Sequence, residues 1–212
     1  MPRPYDPRAF WTFFRQGFAK WDQTASFLPS QRFLVDAMVD RAQPERALRI
    51  LELGPGVGVM TKPLLSRMRA DAALYTIEID EPIHQQLVRS VSDPRLHAIC
   101  GSAEHIRELL DGAGCTEKVD AVVSSLGMSL IPPTVRDGIV DSIAECLAPD
   151  GVYVQFGYIH TRWLVISTER GFVPFDYRRY LETHFDQVTR RPVPLNFPPA
   201  WVFESRGPRA AR

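Results

Sequence analysis

The chain has 212 residues, 45% hydrophobic and 24% charged, with 25 basic and 25 acidic side chains; this is enough for one domain with a full core and excludes disordered and fibrous classes. The neutral total hides a net +3 over residues 1–21, −7 over 22–156 and +4 over 157–212, which argues against nucleic acid as a partner and allows a local anionic partner at the termini. No run of about 20 uncharged apolar residues offers a membrane span, and the Pro- and Arg-containing N-terminus lacks the apolar centre of a secretion signal, so the expected location is cytoplasmic.

The first expected element is a helix over Asp6–Asp22, which carries Phe10, Trp11, Phe13, Phe14, Phe18 and Trp21. At 100° per residue these rings fall within an arc of about 160°. Arg8, Thr12, Arg15 and Gln16 lie opposite, with Lys20 near the margin. Such a helix suits the headgroup region of an anionic membrane, which would make the chain peripheral on the inner membrane face; a core-capping helix is the alternative. Residues 1–24 are therefore read as a docking segment, 25–206 as the domain, and 207–212 as a frayed tail.

Leu28-Pro29-Ser30-Gln31-Arg32-Phe33-Leu34 leads into a second helix, for which Ser30 is a natural cap. The apolar run Ala47 to Leu53 reads as a buried strand. It breaks into Gly54-x-Gly56-x-Gly58 before a helix-compatible run from Thr61 to Arg69. Glycine is needed there if backbone passes close to a ligand. The spacing is not the G-x-G-x-x-G of dinucleotide folds.

Further along, strands are expected at Leu74–Glu78, Leu96–Ile99, Val119–Ser124 and Gly151–Phe156. Helices are expected at Pro82–Ser90, Ala103–Leu110 and Thr134–Leu147. Asp80 can cap the helix that has Pro82 in its first turn, and Pro149-Asp150-Gly151 reads as a turn. The alternation implies βαβ units and a parallel sheet covered on both faces. Two β-rich runs, Gln187–Val193 and Ala200–Ser205, follow around a proline-rich bend.

The stretch Ile50 to Thr61, Ile-Leu-Glu-Leu-Gly-Pro-Gly-Val-Gly-Val-Met-Thr, resembles motif I of the Rossmann-like (class I) S-adenosylmethionine-dependent methyltransferases. The resemblance implies an α/β fold with a mostly parallel seven-stranded sheet, closed at one edge by an antiparallel hairpin. It implies S-adenosylmethionine as cofactor and S-adenosylhomocysteine as product. In that family the loop of Glu52, Gly54, Gly56, Gly58 and Thr61 would wrap the amino acid moiety. Glu78, ending the second strand beside Ile79, would accept the ribose hydroxyls. Gly101-Ser102-Ala103 stands where the family has Gly-Asp-Ala, so the Ser102 hydroxyl would take the adenine contact, with Glu104 as a substitute or merely a first-turn helix acid. Gln31 is similar to the cofactor-touching glutamine in the Gln-x-Phe-Leu segment of ribosomal RNA adenine dimethyltransferases. Ser124 completes the cofactor set.

After the fourth strand, enzymes acting on planar nitrogens carry Asn/Asp-Pro-Pro-Tyr/Phe; here Ser124-Ser125-Leu126-Gly127-Met128 lacks that stacking platform. The whole chain is similar to the bacterial phospholipid N-methyltransferases, through Phe27-Leu28-Pro29-Ser30, the motif I stretch, Val119 to Ser124, Val154-Gln155-Phe156-Gly157-Tyr158 and Asn196-Phe197-Pro198-Pro199-Ala200. That family usually has Arg before the Asn, where Leu195 stands here. The similarity implies methylation of phosphatidylethanolamine and its mono- and dimethyl derivatives towards phosphatidylcholine. Tyr158 would orient the amine or cage the methylammonium. Ser125, His160, Tyr177 and Asn196 are the other acceptor-side candidates.

Five histidines (His84, His97, His105, His160, His184) without ligand spacing point to no metal. Cys100, Cys115 and Cys146, lacking C-x-x-C spacing, fit free thiols in a reducing compartment. A methyltransferase for a soluble small amine or RNA, and a non-catalytic membrane adaptor with this fold, remain alternatives.

Overall fold

Strand β1 (Arg49–Leu53) forms where four consecutive residues, Ile50 to Leu53, are sealed from solvent, as a strand covered on both faces requires. The computed structural model describes residues 31–159, 165–167, 171–173 and 175–209. The helix expected over residues 6–22 and the candidate His160 lie outside the described residues.

Helix α1 (Gln31–Ala42) precedes β1. Then follow α2 (Thr61–Arg67), β2 (Ala73–Glu78), α3 (Glu81–Ser90), β3 (Leu96–Cys100), a 3₁₀ turn (Ala103–His105), α4 (Ile106–Gly112), β4 (Val119–Ser124), α5 (Pro133–Cys146) and β5 (Leu147–Tyr158). A short ribbon of β6 (Val165–Ser167) and β7 (Gly171–Val173) precedes α6 (Tyr177–Leu181), β8 (Phe185–Val193) and β9 (Ala200–Pro208).

The main sheet has seven strands in the order β3-β2-β1-β4-β5-β9-β8. Its first five strands are parallel, and β9 joins antiparallel to both β5 and β8. The expected mostly parallel sheet with an edge hairpin is what forms. The strand order reverses between β1 and β4, so the ligand crevice of such a sheet opens at the carboxyl ends of those strands.

Alternate residues feed two cores. Leu51, Leu53, Ile77, Val122 and Tyr153 face α4, α5 and α6. Ile50, Leu74, Ala121, Val123 and Val154 face α1 and α2.

Several boundaries differ from expectation. The helix expected over Ala103–Leu110 starts as the 3₁₀ turn capped by Ser102. The strand expected to begin at Gly151 begins at Leu147. Val119 pairs with Leu147 and Ala121 with Val152, so Pro149-Asp150-Gly151 bulges out of one strand instead of separating two elements. Gly151 is required there, since a Cβ would lie 2.9 Å from the Ala148 carbonyl oxygen. At the C-terminus, Gly207 and Pro208 belong to β9, so this strand runs past the expected start of the tail.

Candidate functional site

Buried polarity locates the site. Nine polar or charged residues are buried among the described ones, and seven of them (Glu52, Thr61, Glu78, Ser124, Arg136, Gln155 and Asn196) lie at or near the carboxyl edge of the sheet. Burying such groups is costly unless they are partnered or used.

The glycine loop joins β1 to α2 with Gly54, Gly56 and Gly58 all at positive φ, a region that side-chain-bearing residues adopt only at a cost. Their surroundings differ. A Cβ on Gly54 would lie 2.9 Å from Leu126 Cδ2, and one on Gly58 2.9 Å from Leu87 Cδ1. A Cβ on Gly56 would meet nothing within 4 Å. The first and third glycines thus allow close packing, while the middle one fronts open space. The Gly54 amide extends the sheet by donating to Ile77 O at 3.0 Å, and the Ser125 amide does so to Leu53 O at 2.9 Å.

Glu52 is fully buried beneath this loop. Its Oε2 accepts the Thr61 hydroxyl at 2.8 Å, while Oε1 has no partner among the described residues. Burial pushes the Glu52 carboxyl up to about 8; the Thr61 hydrogen bond opposes this and neighbouring Glu78 adds to it. Glu78 is also buried, and burial raises its carboxyl too. Its Oε2 accepts the Gly56 amide at 3.3 Å and its Oε1 the Asp80 amide at 3.1 Å.

Between the ordinary carboxyl value of 4.5 and about 8, folded Glu52 keeps a proton that the unfolded chain has released, so stability falls as pH rises through that window. The ligand-free protein is therefore expected to lose thermal stability steadily from about pH 5 to about pH 8. Glu52→Gln is expected to reduce that slope, leaving the smaller same-sign share of Glu78. Equal slopes for the two proteins in calorimetric melts would take the proton off Glu52.

Beyond β2, Ile79 is half-buried and Asp80 caps α3 by accepting the Ile83 amide at 3.1 Å. Beyond β3, Ser102 Oγ accepts the Glu104 amide at 3.3 Å, and Ala103 is packed in the core. Ser102 is thus already engaged as a cap, while Glu104 is exposed on the same rim. Gln31 is half-buried at the first position of α1, a helix that packs on β4, β5 and β9.

The loop after β4 closes against the glycine loop through Leu126. It is held from below by polar side chains. Gln155 Nε2 donates to Leu126 O at 2.9 Å and to Phe156 O at 2.8 Å, and its Oε1 accepts the Tyr153 hydroxyl at 3.1 Å. The Tyr153 and Tyr177 hydroxyls lie 3.1 Å apart. Ser124 Oγ accepts the Leu126 amide at 3.3 Å. Ser125 is half-buried at the start of the loop.

Two aromatic candidates are not brought together. Tyr158 is the last residue of β5, within the strand and not past it, and it packs edge-on to Phe156 against the α1 and α2 core. Tyr177 lies in the other core, facing Phe203. Burial raises both phenols further above their ordinary value of 10. Asn196 sits in the β8–β9 bend with Nδ2 donating to Pro198 O at 2.6 Å; its Oδ1 has no partner among the described residues.

Residues 50–151 match the family described as a methyltransferase domain. Over 197 residues, 92% of each chain, the sequence is 29% identical to an ornithine lipid N-methyltransferase of Singulisphaera acidiphila. A ribosomal RNA small subunit methyltransferase A of Paraburkholderia xenovorans is 36% identical over 67 residues, 31% of this chain and 24% of that protein. The N-methyltransferase NodS of Bradyrhizobium japonicum WM9, solved in complex with S-adenosylhomocysteine, superposes with a TM-score of 0.64 at 13% identity, over 86% of this chain and 90% of that one. The chain has the fold of a class I methyltransferase, and its cofactor is S-adenosylmethionine.

The resemblance to bacterial lipid N-methyltransferases is thereby supported along nearly the whole chain, whereas the ribosomal RNA enzyme matches only a third of it. The methyltransferase's own residues fit its cofactor. An orphaned buried carboxyl oxygen on Glu52, the open face of Gly56 and the rim carboxylate of Glu78 supply acceptors for ammonium and hydroxyl groups. Among the described residues no cluster of His, Cys, Asp and Glu is placed to hold a metal.

Sequence reasoning missed two features of this methyltransferase. Gln155 carried no assigned role, although a glutamine within an otherwise apolar buried strand is itself a signal. Arg136 was also missed. It is buried under the acceptor loop with its guanidinium 4.0 Å from the Phe175 ring centre and 4.9 Å from that of Tyr180, and Nη1 reaches towards Met128 O at 3.5 Å. Nothing local marks it, because both rings arrive from a later segment.

Proposed function

We propose that this methyltransferase N-methylates the amine of a membrane-lipid headgroup, converting phosphatidylethanolamine stepwise towards phosphatidylcholine at the cytoplasmic face of the membrane. The observation that carries the reading is the match, along 92% of both chains, to an enzyme that methylates a lipid amine. The acceptor loop agrees with it. Ser125-Leu126-Gly127-Met128 offers no aromatic platform for a base, and its buried Leu126 and Met128 present an apolar wall.

When bound, S-adenosylmethionine supplies an electrophilic methyl on its sulfonium. Gln31, Glu52, Gly54, Gly56, Gly58, Thr61, Glu78, Ile79, Ser102, Ala103 and Ser124 are assigned to holding it. Glu52 is suited to the ammonium end: a cation beside it restores its negative charge against the burial that now neutralises it. Glu78 is suited to the ribose hydroxyls.

The acceptor amine must arrive without its proton, since only the lone pair attacks. Tyr158 and Tyr177, both held protonated by burial, serve as hydrogen-bond donors or aromatic walls and not as bases. Ser125 and Asn196 supply oxygens near the acceptor path, and His160 is the remaining group for proton removal. Holding amine and methyl in line should provide much of the rate. Residues 6–22 dock the enzyme on anionic lipid.

Ornithine lipid is the second acceptor to test, because the relative that matches along the whole chain acts on it. Vesicles of phosphatidylethanolamine or of ornithine lipid, each with some anionic lipid, are incubated with enzyme and S-adenosylmethionine and read by mass spectrometry. Methylated phosphatidylethanolamine is expected. Methylation of ornithine lipid alone would reassign the headgroup, and methylation of neither would sink the lipid reading.

A further inference from the structure

The carboxyl edge of the sheet is divided. Over β2 and β3 it carries Glu78, Asp80, Glu81 and Glu104. Over β5, β9 and β8 it is apolar and basic.

Seven large apolar side chains are exposed among the described residues, and five of them lie in segments on this edge. Phe33 is in the first turn of α1, Val59 in the glycine loop, Leu130 in the loop after β4, and Leu195 and Phe197 in the β8–β9 bend. The two in the bend are the most exposed of all, at 65% and 73%. Exposed apolar side chains concentrated at one edge, with two of them in a single bend, point to an interaction site more than residues scattered singly do.

The bend is built to present them. Asn196, between the two, is turned inward and buried, with its amide donating to Val193 O at 3.3 Å and its side chain to Pro198 O. Val193 and Ala200, flanking the bend, are packed in the core. Leu195 and Phe197 thus project from a turn whose backbone is already fixed, so little ordering entropy opposes their insertion.

Charge identifies the partner. Arg190 and Arg191 are exposed just behind the bend, and Arg190 is braced at 4.4 Å over the Trp201 ring. Arg191 is four residues from Leu195, at most about 13 Å along the chain, comparable to the depth between the acyl boundary and the headgroup phosphates. No acidic residue occurs between Gln187 and Phe203. Two apolar tips with arginines a few residues behind match an anionic bilayer. A protein partner would need a larger fully buried centre.

We propose that the β8–β9 bend is a membrane-inserting tip that docks the carboxyl edge of the methyltransferase on an anionic lipid surface, with the acceptor loop facing the headgroups. The proposal deepens the lipid-substrate reading and rests on it for its purpose, though not for its test.

The test uses the full chain with Leu195→Asp plus Phe197→Asp, and separately Arg191→Glu. Flotation is measured with vesicles of phosphatidylethanolamine and phosphatidylglycerol, and with neutral phosphatidylcholine vesicles. Both substituted side chains are exposed, so S-adenosylmethionine affinity by calorimetry should be unchanged. The double variant is expected to bind anionic vesicles about tenfold more weakly, losing apolar insertion. It should methylate vesicles poorly and a short-chain monomeric lipid normally. Arg191→Glu should weaken binding to the anionic vesicles alone. Wild-type vesicle affinity in the double variant would overturn the proposal even if lipid is methylated. Lost vesicle binding in a protein that methylates no lipid would instead uphold the tip and reject the substrate.

Discussion

Glu78→Ala is expected to lower S-adenosylmethionine affinity by about 10- to 100-fold, because hydrogen bonds to an ionised acceptor are each worth about 1.5–3 kcal/mol. The carboxylate ends β2 at the rim of the crevice, and each oxygen uses one lone pair on a backbone amide, Gly56 or Asp80. That leaves a free lone pair per oxygen for a diol. Alanine removes both, and it frees the Gly56 amide from the acceptor that now steadies the glycine loop. Stability should change little or rise, since the group lost is a carboxylate that burial disfavours in its charged form.

A pH signature separates this role from a general loosening. Burial raises the Glu78 carboxyl, so it takes up a proton at a pH above its ordinary 4.5, and cofactor affinity in the wild type should fall as pH drops through that raised value. Glu78→Ala should lack that component. Calorimetric affinity that is unchanged by the substitution would remove Glu78 from the cofactor site.

Deleting residues 1–22 is expected to abolish binding to anionic vesicles while leaving cofactor affinity intact. The segment brings four basic residues, Tyr5 and six Phe and Trp rings, with two acids, Asp6 and Asp22. At about 1 kcal/mol per basic residue near an anionic surface, the electrostatic loss alone exceeds about 100-fold, before the aromatic area is counted. Every residue assigned to the cofactor lies at Gln31 or beyond. If the deleted protein floats as well as the intact one, the first segment is not the anchor. An intermediate result would measure what the β8–β9 bend holds by itself, since two weak attachments to one surface multiply.

The cofactor half of the site was legible in the sequence for a physical reason. A strand, a glycine loop and a helix N-terminus are contiguous, and the φ demands at Gly54, Gly56 and Gly58 are met by residue type alone. Glu52 and Glu78 follow from strand register: each stands at a strand end, on the face turned towards α1 and α2. Ser102 stands on the third loop, where its Oγ accepts the Glu104 amide and keeps one lone pair for a ligand. That capping bond is invisible in a motif.

The acceptor half was less legible, because it is assembled across the sheet. The bulge at Pro149-Asp150-Gly151 depends on how β5 pairs with β4, and a turn signal cannot say whether the chain breaks or bulges. Strand alternation then sends Tyr153 and Gln155 to one layer and Tyr158 to the other. Tyr158 and Tyr177 therefore sit in different cores.

By itself the sequence determined the methyltransferase fold, the glycine loop and the acids that flank it, since these depend on residue types at fixed short spacing. Tertiary structure alone decided that Gln155 grips the acceptor loop, that Arg136 packs on the Phe175 and Tyr180 rings of a later segment, and that Phe33, Leu130, Leu195 and Phe197 lie in segments on one edge. Those neighbours are up to about 160 residues apart along the chain, and only the pairing and twist of the sheet bring them together.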